Sequence, residues 1–135
     1  MTDQISVTGL VATDPRSGET TNQDPYVSFR MASQSRRFNK EESRWESGAT
    51  NWYTVQCFRQ LAVHVSQSVA KGDRVLVRGR LKVRDWDNGE RSGTSVEIDA
   101  DSIGHDLMFG VTSYERTTHV EDHDEEESEA ELQPA

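Results

Sequence analysis

The chain has 135 residues, of which 33% are apolar and 29% are charged, and its formal net charge is −9. This length predicts one domain with room for a tail, and the low apolar fraction predicts a modest core. No apolar run approaches membrane length, and we see no charged-then-apolar leader at the N-terminus. The single cysteine, Cys57, cannot form an internal disulfide, so we expect a cytoplasmic protein.

The charges are unevenly distributed along the chain. Residues 119–135 contain eight of the 24 acidic residues and no Lys or Arg. All 15 basic residues and the other 16 acidic residues lie in residues 1–118. Within residues 36–86, 11 basic residues outnumber five acidic ones. The local positive charge is therefore compatible with a nucleic-acid partner, although the net charge is negative.

Five stretches alternate apolar and polar side chains, which is typical of half-buried strands. In chain order they are residues 5–11, 26–32, 51–58, 74–86 and 94–103. Between the third and fourth stretches the spacing becomes helical, with apolar residues at Leu61, Ala62, Val65 and Val69 and a glycine stop at Gly72. This pattern predicts a helix over residues 59–70. Residues 13–25 and 85–93 are rich in turn-forming residues, which predicts a loop and a hairpin turn.

Residues 33–50 form a long polar segment that has no apolar face of its own. A segment of this length without structure is unusual in a compact domain and is often functional. We predict a protruding hairpin that carries Arg36, Arg37, Phe38, Arg44 and Trp45. The alternative is a flexible loop whose aromatic residues pack back on the body.

The stretch 74–86 has an apolar side and a cationic side. Val75, Val77, Gly79, Leu81 and Val83 alternate with Arg74, Leu76, Arg78, Arg80, Lys82, Arg84 and Trp86. Positive charge beside an aromatic ring suits a single-stranded nucleic acid, whose phosphates need neutralising and whose bases stack. The alternative is a solvated row of cations that protects a sheet edge.

The stretch 51–58 places two large aromatic residues on its polar side. Tyr53, Val55 and Cys57 form a plausible core set, whereas Trp52, Thr54, Gln56 and Phe58 face the other way. Two aromatic residues on a polar face beside a cationic strand indicate a stacking platform. The alternative is that a loop or a partner subunit covers them.

The end of the chain loses its apolar pattern. We expect Val96, Ile98 and Ala100 to face inward, with Leu107 and Phe109 as the last core contacts. Residues 112–135 lack periodicity and apolar content, which predicts a domain at residues 1–111 followed by a disordered acidic tail. His119 and His123 lie four residues apart in that tail, but a metal site needs fixed geometry, so none is expected.

No motif for phosphate cradling, dinucleotide binding, zinc binding or nucleophilic catalysis is present. The sequence therefore predicts neither an enzyme nor a bound cofactor. The predicted order is two strands, a long hairpin loop, a strand, a helix and two more strands. A helix between the third and fourth of five strands is the order of an OB-fold, an all-β Greek-key barrel that binds oligonucleotides or oligosaccharides.

Two runs also resemble the bacterial single-stranded DNA-binding protein family. They are N-W-Y-T-V-Q-C-F-R-Q-L-A at residues 51–62 and K-G-D-R-V-L-V-R-G-R-L-K-V-R-D-W at residues 71–86. The run R-M-A-S before the long loop is similar as well, and the resemblance covers about residues 4–110. The ending S-V-E-I-D-A-D-S-I-G-H-D-L most resembles the actinobacterial accessory, second-copy members.

This resemblance implies a homotetramer that coats single-stranded DNA at the nucleoid during replication, recombination and repair. It carries the family's stacking positions onto Trp52, Phe58 and Trp86. The family often has a tryptophan where this chain has Arg36, so Phe38 and Trp45 are expected to take over that role. The family's acidic tip ends in proline and phenylalanine, whereas this sequence has no aromatic residue after Tyr114. We therefore do not expect that tip to dock replication and repair enzymes.

Two other functions remain open on sequence grounds. An OB-fold module that binds RNA would use the same rings and cations. An adaptor built on the same fold would bury Trp52 and Trp86 against a protein partner.

Overall fold

The computed structural model describes residues 3–117. They form six strands and one helix, which occur in the following order: β1 (Asp3–Val11), β2 (Arg16–Glu19), β3 (Pro25–Asn39), β4 (Arg44–Phe58), α1 (Arg59–Ser68), β5 (Arg74–Asp87) and β6 (Ser92–His105). All five predicted strands and the predicted helix are present. Strands β3 and β4 are longer than predicted because they continue into the hairpin of residues 33–50.

The strands form one sheet in the order β1-β5-β6-β4-β3-β2. Strand β1 also pairs with β3, at Leu10 with Ala32 and at Val11 with Met31, and this pairing closes the barrel. The pairing of β4 with β6 is parallel, and the other pairings are antiparallel. The five long strands, with the helix before the fourth of them, confirm the OB-fold.

Strand β2 is a difference from the sequence analysis, which predicted a loop over residues 13–25. It is a four-residue strand that pairs with β3 from Arg16 opposite Ser28 to Glu19 opposite Pro25. The segment has turn composition and no apolar alternation. Its strand geometry therefore comes from the edge of β3, which offers backbone hydrogen bonds that a local sequence pattern does not reveal.

The barrel interior is apolar and draws on every long strand and on the helix. Its buried members are Val11, Val27, Phe29, Met31, Val55, Cys57, Ala62, Val65, Val69, Val75, Val77 and Ile98. Strands β5 and β6 approach closely at a register shift between Arg78 and Gly79. A Cβ atom at position 79 would overlap the carbonyl oxygen of Asp99, so glycine is required there.

Three predicted core contacts are wrong. Val83 is exposed, because the end of β5 pairs only with β6 and no residue within 3–117 covers its inner side. Leu107 and Phe109 are exposed because β6 ends at His105 and the chain then leaves the barrel. The Phe109 ring instead lies 4.7 Å from the guanidinium carbon of Arg74.

The helix α1 packs against the barrel through Ala62 and Val65. It ends at Ser68, two residues before the predicted end, and the N–H of Val69 donates a 2.9 Å hydrogen bond to the carbonyl oxygen of Val65. Residues 106–117 contain no helix or strand. The hydroxyl of Thr117 lies 3.0 Å from Nε2 of His64 on α1.

The remainder of the predicted disordered tail, including His119 and His123, lies outside the described residues. Within residues 3–117, no helix is long and apolar enough to cross a membrane. The same part of the chain contains no group of three or more His, Cys, Asp or Glu side chains placed to hold a metal ion.

Candidate nucleic-acid interface

The outer face of β4 carries the two predicted aromatic residues. Trp52 and Phe58 are 50% and 42% exposed, whereas Val55 and Cys57 between them are buried in the core. Alternation along the strand therefore directs the rings outward, as predicted. No loop within residues 3–117 covers them, and two half-exposed rings on one strand face provide surfaces on which bases can stack.

The segment 33–50 is a hairpin, as predicted, because β3 and β4 remain paired as far as Asn39 and Arg44. Phe38 and Trp45 are Cα partners near its tip, and their ring centroids are 5.4 Å apart with the planes inclined at 56°. Trp45 is 63% exposed and Phe38 is 45% exposed. The two rings contact each other and do not pack back on the body.

A bulge in the hairpin determines which way this aromatic pair faces. Counting by twos along β3 from Arg30 leads to Arg36 and Phe38, so these three residues share one face of the strand. The same count along β4 from Trp52 would leave Trp45 on the opposite face. A register shift between Gln34 and Arg36 adds one residue to β4 and brings Trp45 opposite Phe38.

Trp86 lies at the far end of β5, on the same side of the strand as Arg84. Its Cα partner in β6 is Gly93. A Cβ atom at position 93 would lie 2.8 Å from Cζ2 of the indole, so the ring rests directly over the glycine. Trp86 remains 45% exposed and is available for stacking on its outward side.

The four cations of β5 between Arg78 and Arg84 are exposed as predicted, and each one has an acidic partner on β6. Arg78 Nε lies 3.1 Å from Asp101, Lys82 Nζ lies 2.6 Å from Asp99, and Arg84 Nε lies 3.7 Å from Glu97. Arg80 is 4.0 Å from Asp99. The predicted inward direction of Val96, Ile98 and Ala100 puts the intervening acids on the polar face of β6, but the sequence does not show that this strand pairs with β5.

The cations of the hairpin differ in their environment. Arg44 is paired with Glu42 at 2.6 Å, between two exposed side chains. Arg36 and Arg37 are exposed, and neither forms an ion pair with another residue in 3–117.

Arg30 was missed by sequence analysis. Its guanidinium carbon lies 5.3 Å from the centroid of the Trp52 ring, which is within the range of a cation–π interaction. Arg30 and Ala32 are adjacent outward residues of β3, and Ala32 is the Cα partner of Trp52. The available signal was the alternation of residues 26–32, which places Arg30 on the polar side of its strand.

Comparisons with known proteins agree with this geometry. The model of the Single-strand binding protein family matches residues 2–106. Single-stranded DNA-binding protein 2 of Tropheryma whipplei is 45% identical over 114 residues, which are 84% of this chain and 75% of that protein. The crystal structure of a small single-stranded DNA-binding protein from Streptomyces coelicolor superposes with a TM-score of 0.74 at 45% identity. The match covers 81% of this chain and 98% of that one.

The second single-stranded DNA-binding protein of Mycobacterium smegmatis is also similar in structure, with a TM-score of 0.65 at 31% identity. That match covers 86% of this chain and 100% of the other. The resemblance to actinobacterial members, including second-copy ones, is thereby confirmed. The matched residues include all the strands, the helix and the aromatic residues of the outer face, and the chain belongs to the single-strand binding protein family.

Proposed function

We propose that the protein binds and protects single-stranded DNA, without preference for particular bases, during replication, recombination and repair. The observation that carries the proposal is the outward placement of Trp52, Phe58 and Trp86 on the outer face of an OB-fold, with the Phe38–Trp45 pair on the adjoining hairpin. Every base has a flat face, so stacking on these rings tolerates any sequence.

The mechanism combines stacking with charge. Base stacking contributes about 1–3 kcal/mol per base, a general value for OB-folds of single-strand binding proteins. Exposed cations of β3, β4 and β5 neutralise phosphates and release counterions from the DNA, which makes binding weaker as salt increases. The exposed cations available for this role are Arg30, Arg36, Arg37, Arg44, Arg78, Arg80, Lys82 and Arg84.

We propose that the protein acts as a homotetramer. Strand β1 pairs with β5 from Asp3 to Leu10, but it pairs with β3 only at Leu10 and Val11. Residues 3–9 therefore have an edge that no strand of the described chain covers, and an open edge favours pairing with another copy. Light scattering at micromolar concentration tests this, because a monomer mass would contradict it.

We further propose a cytoplasmic protein that associates with the nucleoid and has no catalytic activity, with residues 1–111 as the DNA-binding domain and residues 112–135 as its tail. The lone cysteine, which is unpaired, supports a reducing compartment. The end of β6 at His105 supports the domain boundary. Co-purification with the nucleoid tests the proposed association. A DNA oligomer that is recovered intact after incubation with the protein tests the proposed lack of catalytic activity towards DNA.

A fluorescence titration tests the proposed function directly. Three tryptophans are present, and Trp45, Trp52 and Trp86 are all exposed, so stacked bases should quench their emission. We expect a poly-pyrimidine DNA oligomer to quench it saturably and to bind less tightly as the salt concentration rises. A matched RNA oligomer that binds more tightly would favour RNA as the ligand. No change with either oligomer would contradict the proposal and favour an adaptor.

A further inference from the structure

The strand order places an acidic row between the aromatic residues and the cations of the outer face. Strand β6 lies between β4 and β5 in the sheet. In register, Glu97 is opposite Thr54 of β4 on one side and Lys82 of β5 on the other. Asp99 lies in the same way between Gln56 and Arg80. DNA stacked on the rings of β4 therefore meets the carboxylates of β6 before it reaches the cations of β5.

These two carboxylates are closely held by their neighbours. The side chains of Asp99 and Glu97 are only 11% and 14% exposed. Oδ2 of Asp99 lies 2.6 Å from Nζ of Lys82, and Oδ1 of Asp99 has no hydrogen-bond partner. Glu97 accepts a 2.9 Å hydrogen bond from Nε2 of Gln56 and lies 3.7 Å from Nε of Arg84.

A nearly buried carboxylate depends on its cation more strongly than an exposed one does. Exposed ion pairs such as Arg44 with Glu42 are screened by water and exchange partners at little cost. If a phosphate drew Lys82 away, the carboxylate of Asp99 would lose its nearest cation at a site with little water. The phosphate would also lie beside a like charge. The β5 cations next to Asp99 and Glu97 are therefore poor phosphate ligands.

The other flank of β4 is different. Strand β3 presents Arg30 and Arg36 on the outer side, and within residues 3–117 neither has an acidic side chain within 4.0 Å. Arg30 lies against Trp52, where a stacked base would bring its own phosphate close. The cations on this flank need not give up a carboxylate when they bind a phosphate.

We propose that the phosphates of bound single-stranded DNA follow the β3 flank, along Arg30 and Arg36. Glu97 and Asp99 hold Arg80, Lys82 and Arg84 and so limit the affinity of the surface. This inference rests on the proposed function. Glu97 and Asp99 thereby set how strongly a polyanion binds. Strand β5 contributes mainly through stacking on Trp86.

The salt dependence of binding tests the inference. Affinity for a pyrimidine DNA oligomer of about 16 nucleotides, the upper length bound by one OB-fold, is measured between about 50 and 200 mM salt. For single strands, log K falls with log salt at a slope of about −0.7 per phosphate neutralised. We expect Arg36→Gln to make the slope shallower by up to about 0.7 and Lys82→Gln to change it by clearly less.

Neutralising a β6 carboxylate should have the opposite effect on the salt dependence, making it steeper. We expect Asp99→Asn, which preserves the side-chain shape, to tighten binding several-fold at low salt and to steepen the slope by up to about 0.7, because it frees Lys82. The double variant Asp99→Asn with Lys82→Gln should lose this gain. Glu97→Gln, which acts through Arg84, provides a second variant if Asp99→Asn lowers the melting temperature so far that binding cannot be measured.

Matched controls separate a local effect from a change in net charge. Glu19→Gln alters the charge by the same amount on β2, an edge strand that pairs with β3 and with neither β5 nor β6. Lys71→Gln removes an exposed cation from the turn before β5. Neither should change the slope appreciably.

Two results would overturn the inference. One is that Lys82→Gln flattens the slope as much as Arg36→Gln does. The other is that both carboxylate variants bind DNA with wild-type affinity and slope. Failure of the wild-type protein to bind any DNA oligomer would instead contradict the proposed function, and the inference with it.

Discussion

The indole of Trp86 rests on the backbone of Gly93, its partner across the β5–β6 pairing. No side chain separates the ring from the neighbouring strand, and a Cβ atom there would lie 2.8 Å from Cζ2. The glycine therefore fixes the height and direction of the ring above the sheet. A residue that carries no functional group thus sets the position of the Trp86 ring, on which we propose that a base stacks.

The variant Gly93→Ala tests this relationship, because the added methyl group must displace the ring. We expect weaker binding of single-stranded DNA, with a loss smaller than the loss of about 1–3 kcal/mol expected for Trp86→Ala. Gly104→Ala is the matched control, since it lies on the same strand and a Cβ there would have no atom within 4 Å. Wild-type affinity in Gly93→Ala would show that the position of the ring is unimportant.

Trp52→Ala should weaken DNA binding by about 1–3 kcal/mol while leaving the barrel folded. The reason is that the ring is half exposed and contributes no buried core surface. Affinity is measured by titration with a labelled oligomer, and folding by thermal melting. Tyr114→Ala, which removes another exposed aromatic residue outside the sheet, should bind normally. A large fall in melting temperature with normal affinity per folded molecule would mean that Trp52 is a structural residue.

The rings of Phe38 and Trp45 should act as a coupled pair. Because their centroids are 5.4 Å apart, removal of Phe38 leaves Trp45 without its support. Trp45 is the more exposed ring, so Trp45→Ala should cost more binding energy than Phe38→Ala. Aromatic pairs contribute about 0.5–1.5 kcal/mol beyond their buried area, and we expect a coupling of that size in a double-mutant cycle of DNA affinity. Strictly additive losses would show that the rings bind independently.

Alternation along the chain was enough to predict the faces of the central strands. Val75 and Val77 are buried and Arg78 is exposed, because the side-chain period of a strand is fixed by its geometry. The outward direction of Trp52 and Phe58 follows from the same rule. The twelve residues predicted to bind DNA are all exposed in the structure, and their role in binding stays a prediction. They are Arg36, Arg37, Phe38, Arg44, Trp45, Trp52, Phe58, Arg78, Arg80, Lys82, Arg84 and Trp86.

What the sequence could not show is which strands lie side by side. The neutralisation of Lys82 by Asp99 depends on the pairing of β5 with β6, and the contact of Arg30 with Trp52 depends on the pairing of β3 with β4. Both are contacts between residues at least 17 positions apart, and their register depends on the folded barrel. Val83 was predicted to be buried for a related reason, since alternation predicts a direction but not whether anything covers it.

Asp73 should make the stability of the protein sensitive to acid. The backbone N–H of Ala70 and the ring of His105 both contact its carboxylate, at 3.0 and 2.9 Å, and these hydrogen bonds lower the pKa of Asp73. Because the folded-state pKa lies below the unfolded value of about 3.9, the contribution is present above that pH and is lost as the pH falls through the folded pKa.

We therefore expect Asp73→Asn to lower the free energy of unfolding at neutral pH and to bring it closer to the wild-type value as the pH falls below about 3.9. Urea unfolding at several pH values measures this difference. Asp14→Asn, at an exposed position between β1 and β2, should differ little from the wild type at any pH. If the free energies of unfolding of Asp73→Asn and the wild type differed by the same amount at every pH, the acid sensitivity would not come from Asp73.

Cys57 should remain a neutral thiol in the folded protein. It is fully buried in the core, and burial raises the pKa of its thiol to about 11. The unfolded thiol has a pKa of about 8.5, so it loses its proton at a lower pH than the folded thiol does. Stability should therefore fall as the pH rises above about 8.5, until the folded thiol also titrates.

Two measurements check this prediction. At about pH 8 a disulfide reagent should leave Cys57 unmodified in the native protein and modify it rapidly in denaturant, because the thiolate is the reactive form and the native site excludes both charge and reagent. The variant Cys57→Ala, measured by urea unfolding, should lose less stability between pH values of about 8.5 and 11 than the wild type does. If the reagent modified Cys57 in the native protein faster than the protein unfolds globally, this part of the core would open locally. An equal alkaline loss in both proteins would show that the thiol is not the group responsible.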